Sequence, residues 1–242
     1  MRNGWHVGVV IPAKNEEDFI SNVITTLPNF VDRIVVVDDG SSDMTAQIVN
    51  KHSTELKNLE MVQLPGNGVG SAIDAGHQAM LKSLSEPFVS VVMAGDGQMD
   101  PDDLELLIEP VTKNQADYVK GNRFLHQDGP GNMPLVRKIA SMILGFFTTL
   151  AAGRHVTDPQ CGYTATSSLI LRHWNWSKSW KGYGYPNYWL IANYFDHDVV
   201  RFSVTDYNCG QKTFDFPNDY DYSTGTSHGH RAVDIVPSPY PW

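Results

Sequence analysis

The sequence predicts an α/β fold in which helices flank a mostly parallel central sheet. Short runs rich in Val and Ile alternate four times in succession with segments of helical periodicity, which is the pattern of βα units. These runs are almost continuously apolar, as strands are when helices cover both faces of a sheet. With 242 residues, of which 41% are hydrophobic, the chain is expected to form one domain around one core.

The elements of the first half can be assigned in order. Predicted strands cover residues 6–11, 33–37, 59–64, 88–93 and 117–121. Predicted helices cover residues 15–27, 41–52, 70–84 and 101–113. Acidic residues in the first turn support the start of the first helix, Ser and Asp capping residues begin the second, and Pro begins the fourth.

The second half of the chain has a different character. Residues 134–153 begin with Pro, end with Gly and are nearly all apolar after residue 138, which predicts a helix. Two interpretations remain open for this helix: it packs in the core, or it lies in a membrane interface. A strand is predicted near residues 199–207. The tail from Asp215, rich in Asp, Tyr, Ser, Gly and Pro, is expected to form loops.

The charge distribution excludes one class of partner and suggests another. A net charge of −9 argues against general nucleic-acid binding. Between residues 118 and 155, five basic residues against one acid give a net charge of +4, which leaves −13 for the rest of the chain. A basic island in an acidic protein indicates a local anionic ligand, with a solvated basic surface as the alternative.

The cysteine content and the apolar runs bear on the compartment. Cys161 and Cys209 are too few for a disulfide framework, and we interpret them as reduced thiols of a cytosolic protein. The apolar run near the N-terminus is too short for a signal peptide. Because no stretch reaches about 18 consecutive apolar residues, no transmembrane helix is expected.

Acidic residues and glycines follow the first four predicted strands, where parallel sheets bind their ligands. The segments concerned are residues 12–17, 38–43, 66–71 and 94–101. Carboxylates are hard oxygen ligands, and glycines let the backbone approach phosphates, so this edge suits a nucleoside diphosphate held through a divalent metal. A dinucleotide-binding site is disfavoured because the glycine cluster follows the third strand and lacks the Gly-x-Gly-x-x-Gly spacing.

The order of several short motifs is more specific than any one of them. IPAKNEE, VVVDDGSSDMT, GNGVGSA, MAGDGQMDP, KGNRF and DPQCGY occur in the order and approximate spacing typical of family 2 glycosyltransferases. Over roughly residues 6–165 the chain most resembles the dolichol- and polyprenyl-phosphate sugar transferases. The resemblance implies one GT-A-type domain, with a nucleotide-sugar-binding half (1–121), an acceptor-binding half (122–214) and a loop-rich tail (215–242).

The resemblance also implies roles at the donor site, for a sugar linked to UDP or GDP. The residues implied to contact the nucleotide sugar are Pro12, Ala13, Glu16, Asp38, Asp39, Gly68, Gly70, Ser71 and Asp96. Asp96 and Gln98 are implied to bind a Mg²⁺ or Mn²⁺ ion that bridges the diphosphate. Such an ion stabilises the negative charge that develops on the leaving group as the sugar departs.

On the acceptor side the implied partner is a lipid phosphate, reached by a cytoplasmic protein peripheral to the membrane. Arg123, Arg137 and Ser141 match the family spacing for groups that hold this phosphate. The planar guanidinium of Arg123 suits phosphate, and two helix residues four apart share a face. Asp158 is implied as the catalytic base or as a group that positions the acceptor. The alternative for Asp158 is a cap or turn residue.

One departure from the family pattern keeps other functions open. Ala94 stands where the family usually carries the first carboxylate of Asp-x-Asp, while Asp100 either helps to bind metal or caps the next helix. A non-catalytic nucleotide-sugar-binding relative is therefore one alternative, and a transferase for a glycan or small molecule is another. A nucleotidyltransferase is disfavoured because residues 12–17 are not a Gly-rich basic loop.

Overall fold

A computed structural model describes residues 1–122, 135–152, 156, 158–182, 184–196, 202–206, 220–221, 226–227 and 234–235. The strands are β1 (His6–Ala13), β2 (Arg33–Asp38), β3 (Leu59–Gln63), β4 (Phe88–Val92), β5 (Tyr118–Asn122), β6 (Thr164–Ser167), β7 (Phe202–Asp206), β8 (Tyr220–Asp221), β9 (Thr226–Ser227) and β10 (Asp234–Ile235). The helices are α1 (Ile20–Thr25), α2 (Thr45–Glu55), α3 (Val69–Ser83), α4 (Leu104–Thr112), α5 (Leu135–Ala152), α6 (Ser168–His173) and α7 (Tyr185–Asp196). Short 3₁₀ turns cover Pro101–Asp103 and Trp176–Lys178.

Eight of these strands form one sheet in the order β10-β7-β5-β6-β4-β1-β2-β3. Strand β1 pairs in parallel with β2 and β4, β2 pairs in parallel with β3, and β5 pairs in parallel with β7. Strand β6 is antiparallel to both of its neighbours, and β10 is antiparallel to β7. The predicted mostly parallel sheet flanked by helices is confirmed, and β6 and β10 are its exceptions.

The first predicted helix starts later than the sequence indicated, at Ile20 instead of residue 15. The amides of residues 15–17 donate instead to Ser41 Oγ (2.9 Å), Thr45 Oγ1 (2.8 Å) and Asp43 Oδ2 (3.1 Å). These bonds join the loop after β1 to the loop after β2. Helix α2 likewise begins at Thr45 and not at residue 41, because Ser41 and Asp43 accept hydrogen bonds from the loop after β1.

Helices cover both faces of the sheet and enclose two apolar layers. Helices α1, α2 and α4 pack on one face, and α3, α6 and α7 pack on the other. Helix α3 approaches β1 closely because Gly76 has no side chain: a Cβ there would lie 2.2 Å from Cγ1 of Val10. This contact fixes the N-terminus of α3 near the carboxyl ends of β1 and β2, where ligands are expected.

His77 is a neutral member of the layer formed with α3. It is buried, and its Nδ1 lies 2.9 Å from Oγ of Ser90. Burial lowers the pKa of His77 to about 3 because the imidazolium ion would be poorly solvated there. The ring is therefore uncharged at neutral pH.

The outer side of α5 is apolar, which contradicts packing of the whole helix in the core. Gly145 and Thr148 are buried, whereas six large apolar side chains are 49% to 65% exposed: Ile139, Met142, Ile143, Phe146, Phe147 and Leu150. Among the described helices, none has both the length and the apolar character needed to cross a bilayer.

The remaining expectations concern the cysteines and the tail. Cys161 is buried, with its Sγ 4.0 Å from the Tyr163 carbonyl oxygen, and Cys209 lies outside the described residues, so the reduced state of both stays a prediction. Of the tail that was expected to form loops, the structure describes three two-residue strands, and β10 extends the main sheet.

Candidate functional site

The carboxyl ends of β1, β2 and β4 meet at one edge of the sheet. Ala13 is paired with Asp38 at the end of β1 and β2. Beyond β4, the Gly95 amide donates to the Pro12 carbonyl (3.1 Å), and a Cβ on Gly95 would lie 3.1 Å from Cβ of Ala13. The structure thus brings Pro12, Ala13 and Asp38 close to the segment that carries Asp96, as the predicted topology requires.

The two adjacent aspartates after β2 have different surroundings. Asp39 is 4% exposed and uses both carboxylate oxygens on the β3–α3 loop, accepting from the amides of Asn67 (2.7 Å) and Gly68 (2.9 Å). Asp38 is equally buried, and its Oδ1 accepts from the Ser41 amide (3.1 Å) within its own turn. Asp39 therefore holds the neighbouring loop in place, a role that the sequence did not indicate.

The glycines at the start of α3 allow a second stretch of backbone to approach. Gly68 has a φ of +95°, and a Cβ there would lie 2.6 Å from the carbonyl oxygen of Lys181. The Gly70 amide donates to the same carbonyl (3.0 Å), and a Cβ on Gly70 would lie 2.2 Å from the Trp180 carbonyl. Nearby, the hydroxyl of Ser71 donates to the carbonyl of Asn67 (3.1 Å). The contact of Gly68, Gly70 and Ser71 with a nucleotide stays a prediction.

Asp74 anchors the segment that lies on the start of α3. It is 3% exposed, and its Oδ1 accepts from Ser179 Oγ (3.0 Å) and from the Tyr185 hydroxyl (2.8 Å). Its Oδ2 lies 2.5 Å from Nζ of Lys181. Burial, and next the charge of Asp74, raise the pKa of Tyr185 well above its ordinary value, so the phenol stays protonated and donates. Sequence reasoning missed this residue; its only signal was an acid on the apolar face of a predicted helix.

The carboxylates nearest the end of β4 form a region of negative potential. Asp96 is half-buried, and its Oδ1 accepts from the amide of Gln98 (3.0 Å), whose side chain is exposed. Partial burial, and then the charges of Asp96 and Asp43, raise the pKa of Glu16. Where neighbouring negative charges raise the pKa of a carboxyl group, a cation bound among these carboxylates is favoured. Within the described part of the chain, no three His, Cys, Asp or Glu side chains are grouped so as to hold a metal ion by themselves.

The neighbours of Asp96 in the loop serve the local fold. The Ala94 amide faces the sulfur of Met99 (3.2 Å). Asp100 caps the following 3₁₀ turn, because its Oδ1 accepts from the Asp102 amide (3.0 Å). Its carbonyl also accepts from the Tyr163 hydroxyl (3.0 Å). Of its two predicted roles, Asp100 therefore has the cap.

The predicted acceptor residues are described only in part. Arg123 lies outside the described residues, while Arg137 and Ser141 are in the first half of α5, four positions apart. Asp158 is 2% exposed, and the loop that it begins runs into β6 beside the end of β4. Asp158 is thus buried, and both its place at this edge and its catalytic role stay predictions.

Comparison with known proteins decides the family. Residues 8–175 match the family described as glycosyl transferase family 2. The chain belongs to glycosyltransferase family 2. Among its relatives is a UDP-N-acetylglucosamine–dolichyl-phosphate N-acetylglucosaminyltransferase of Methanococcus voltae. It is 33% identical over 178 residues, which are 68% of this chain and 70% of the relative.

Solved structures of the glycosyltransferase glucosyl-3-phosphoglycerate synthase from Mycobacterium tuberculosis have the same fold. Its complex with UDP superposes with a TM-score of 0.63 at 20% identity, covering 92% of this chain and 76% of that chain. Its complex with Mn²⁺, UDP-glucose and phosphoglyceric acid gives a TM-score of 0.58 at 22% identity, covering 80% and 66%. At this level of identity the likeness establishes the GT-A-type fold of this family 2 member.

Proposed function

We propose that the protein is an inverting, metal-dependent glycosyltransferase that moves a sugar from a nucleoside-diphosphate sugar to a polyprenyl phosphate. The observation that carries the proposal is the meeting of Asp38, Glu16 and Asp96 at one sheet edge of a family 2 member. An acceptor phosphate oxygen attacks the anomeric carbon while the bond from that carbon to the diphosphate oxygen breaks. The nucleoside diphosphate leaves with the electron pair, and the configuration inverts.

At the donor end, Asp38 is the better placed of the two adjacent aspartates to accept from the base or ribose. Both oxygens of Asp39 already hold the amides of Asn67 and Gly68. Pro12 and Ala13 then line the nucleoside at the end of β1. Asp39 acts indirectly, because it fixes the loop that borders the nucleotide.

A divalent cation fits the carboxylates beside β4. Mg²⁺ and Mn²⁺ are held by oxygen ligands, and Mg²⁺ commonly uses one or two carboxylates together with waters and substrate phosphates. Asp96 and the amide oxygen of Gln98 would hold it, and the cation would relieve the repulsion between Asp96 and Glu16. When bound, it would stabilise the charge of the leaving diphosphate. The M. tuberculosis synthase was solved with Mn²⁺ and UDP-glucose, which supports a divalent cation beside the donor but does not identify its ligands here.

A lipid phosphate is the acceptor that the sequence and the relatives favour. The Methanococcus relative is named for dolichyl phosphate, and the basic island of this chain surrounds Arg123 and Arg137. A phosphate monoester is largely ionised at neutral pH, so its attack on the sugar needs little help from a base. In this proposal Asp158 orients the acceptor, and the protein works at the cytoplasmic face of a membrane.

Isothermal titration with UDP- and GDP-linked sugars tests the donor site. We expect one nucleotide class to bind in the presence of Mn²⁺ and to lose its affinity when a chelator is added, because the cation bridges protein and diphosphate. Sugar transfer to a short-chain polyprenyl phosphate should follow with the same donor. Absence of metal-dependent binding to every donor would instead identify a non-catalytic relative, with Ala94 as the physical reason.

Replacing Arg123 with Ala tests the acceptor site. We expect donor affinity to stay unchanged and acceptor affinity to fall by roughly tenfold to a hundredfold, since a charge-assisted hydrogen bond to phosphate contributes ~1.5–3 kcal/mol. Arg172→Ala is the control, because this exposed arginine pairs with Glu86. The readouts are donor titration and the KM for prenyl phosphate. Loss of donor binding, or full transfer to a soluble glycan with none to prenyl phosphate, would contradict the acceptor assignment.

A further inference from the structure

The outer face of α5 is the largest concentration of exposed apolar side chains in the described part of the chain. Six large apolar residues form it, and we call them the α5 stripe: Ile139, Met142, Ile143, Phe146, Phe147 and Leu150. Their spacing alternates between three residues and one, so they lie on one side of the helix over three turns. At about 1.5 Å per residue, the stripe is roughly 16 Å long.

This arrangement differs from ordinary surface exposure. Among the described residues, the other exposed large apolar side chains are far apart in the sequence: Met1, Phe19, Met44, Leu169 and Trp180. Single exposed apolar residues need no explanation, whereas a contiguous patch marks an interaction surface. The opposite side of α5 is already used, because Gly145 and Thr148 are buried and the Thr149 hydroxyl accepts from the Val156 amide (2.9 Å). The stripe therefore faces away from the protein.

Charge decides which partner suits the stripe. Arg137 and Lys138 lie in the first turn of α5, Arg154 follows its end, and the sequence has no acid from residue 129 to residue 157. The rest of the chain, outside residues 118–155, carries −13. An anionic bilayer would attract this helix and repel the remaining surface, which sets a single orientation. In a second copy, the same basic helix ends would be brought together, and their repulsion disfavours self-association.

We propose that α5 lies in the plane of a membrane that contains anionic lipids, with the α5 stripe inserted among the acyl chains and its basic ends at the headgroups. Amphipathic helices bind in this way through buried apolar area and attraction to anionic lipids. The purpose of the docking rests on the proposed function, because it would place α5, the helix that carries Arg137 and Ser141, at the membrane surface where a lipid phosphate is found. The docking itself needs neither donor nor metal.

Flotation of the full chain with lipid vesicles, without donor, metal or prenyl phosphate, tests the proposal. We expect binding to vesicles that contain phosphatidylglycerol, weak binding to pure phosphatidylcholine, and release from the anionic vesicles at high salt. The double variant Phe146→Gln/Phe147→Gln should bind roughly tenfold or more weakly, because two aromatic side chains no longer insert. Leu169→Gln on α6, an equally exposed apolar residue outside the stripe, should bind like the wild type.

Three results would overturn the docking. One is the absence of binding to anionic vesicles. Another is equal binding by the double variant, provided that its thermal unfolding matches that of the wild type. The third is a wild-type dimer in solution that the double variant converts to monomer, since the stripe would then be a contact between copies. Asp96→Ala should float like the wild type, so failure of transfer with intact flotation would count against the proposed function alone.

Discussion

The variant Asp96→Ala is expected to lose metal-dependent donor binding and to transfer sugar roughly a hundredfold to a thousandfold more slowly. Asp96 is the one carboxylate left at the family's Asp-x-Asp position, because Ala94 occupies the other. Its removal leaves Gln98 and the diphosphate to hold the cation. Titration of the donor with Mn²⁺ measures the binding loss independently of turnover, and the transfer assay measures kcat.

Two further variants sharpen this test. Asp102→Ala removes an exposed carboxylate from the same loop region and should leave donor affinity unchanged. Ala94→Asp restores the second carboxylate, so we expect it to tighten Mn²⁺-dependent donor binding. If Asp96→Ala retained donor affinity and turnover, or if Asp102→Ala lost them equally, the assignment of the metal to Asp96 would be wrong.

The variant Asp74→Ala is expected to lower the free energy of unfolding by about 3 kcal/mol. Asp74 is almost fully buried and accepts hydrogen bonds from Ser179 and Tyr185, both of which are left without that partner in the variant. The ion pair between Lys181 and Asp74 contributes little to the free energy of unfolding, because the Lys181 side chain is 47% exposed and solvent screens the pair. Chemical denaturation monitored by tryptophan fluorescence gives the difference directly.

Lys181→Met is the matched control for Asp74→Ala. It removes the half-exposed ion pair and keeps both buried hydrogen bonds, so the expected loss is below about 1 kcal/mol. A loss as large as that of Asp74→Ala would show that the ion pair, not the hydroxyl contacts, holds Ser179 and Tyr185 on α3. A loss below about 1 kcal/mol for Asp74→Ala itself would mean that this anchor contributes little to stability.

The sequence predicted those elements whose residue pattern alone determines them. Strands β1 to β5 are apolar runs between turn residues, and each was expected within about two residues of its position in the structure. Strand β6 was not predicted, because its sequence Thr-Ala-Thr-Ser has no apolar run although all four residues are buried. Its place between β4 and β5 follows from pairing with strands that lie far away in the sequence.

The candidate site likewise has features that the sequence predicted and features that it did not. The meeting of residues 12–13, 38 and 95–96 follows from parallel topology, which the order of elements indicated. The hydrogen bonds of Asp39 join it to residues 28 and 29 positions away, and those of Asp74 reach residues 105 and 111 positions away. No local pattern marks such partners. The sequence therefore did not distinguish the structural roles of Asp39 and Asp74 from a role in ligand binding.

The reversed direction of β6 joins two segments of the chain at the ligand edge of the sheet. In a purely parallel sheet, the segments that reach the ligand edge are those that follow the strands, whereas an antiparallel strand brings the segment that precedes it to that edge. The end of the segment before β6 therefore lies beside the loop after β4: a Cβ on Gly162 would lie 3.4 Å from Cε of Met99, and the Tyr163 hydroxyl donates to the Asp100 carbonyl (3.0 Å). One hydrogen bond therefore ties the loop after β4 to the segment before β6, although the two bonded residues lie 63 positions apart in the sequence.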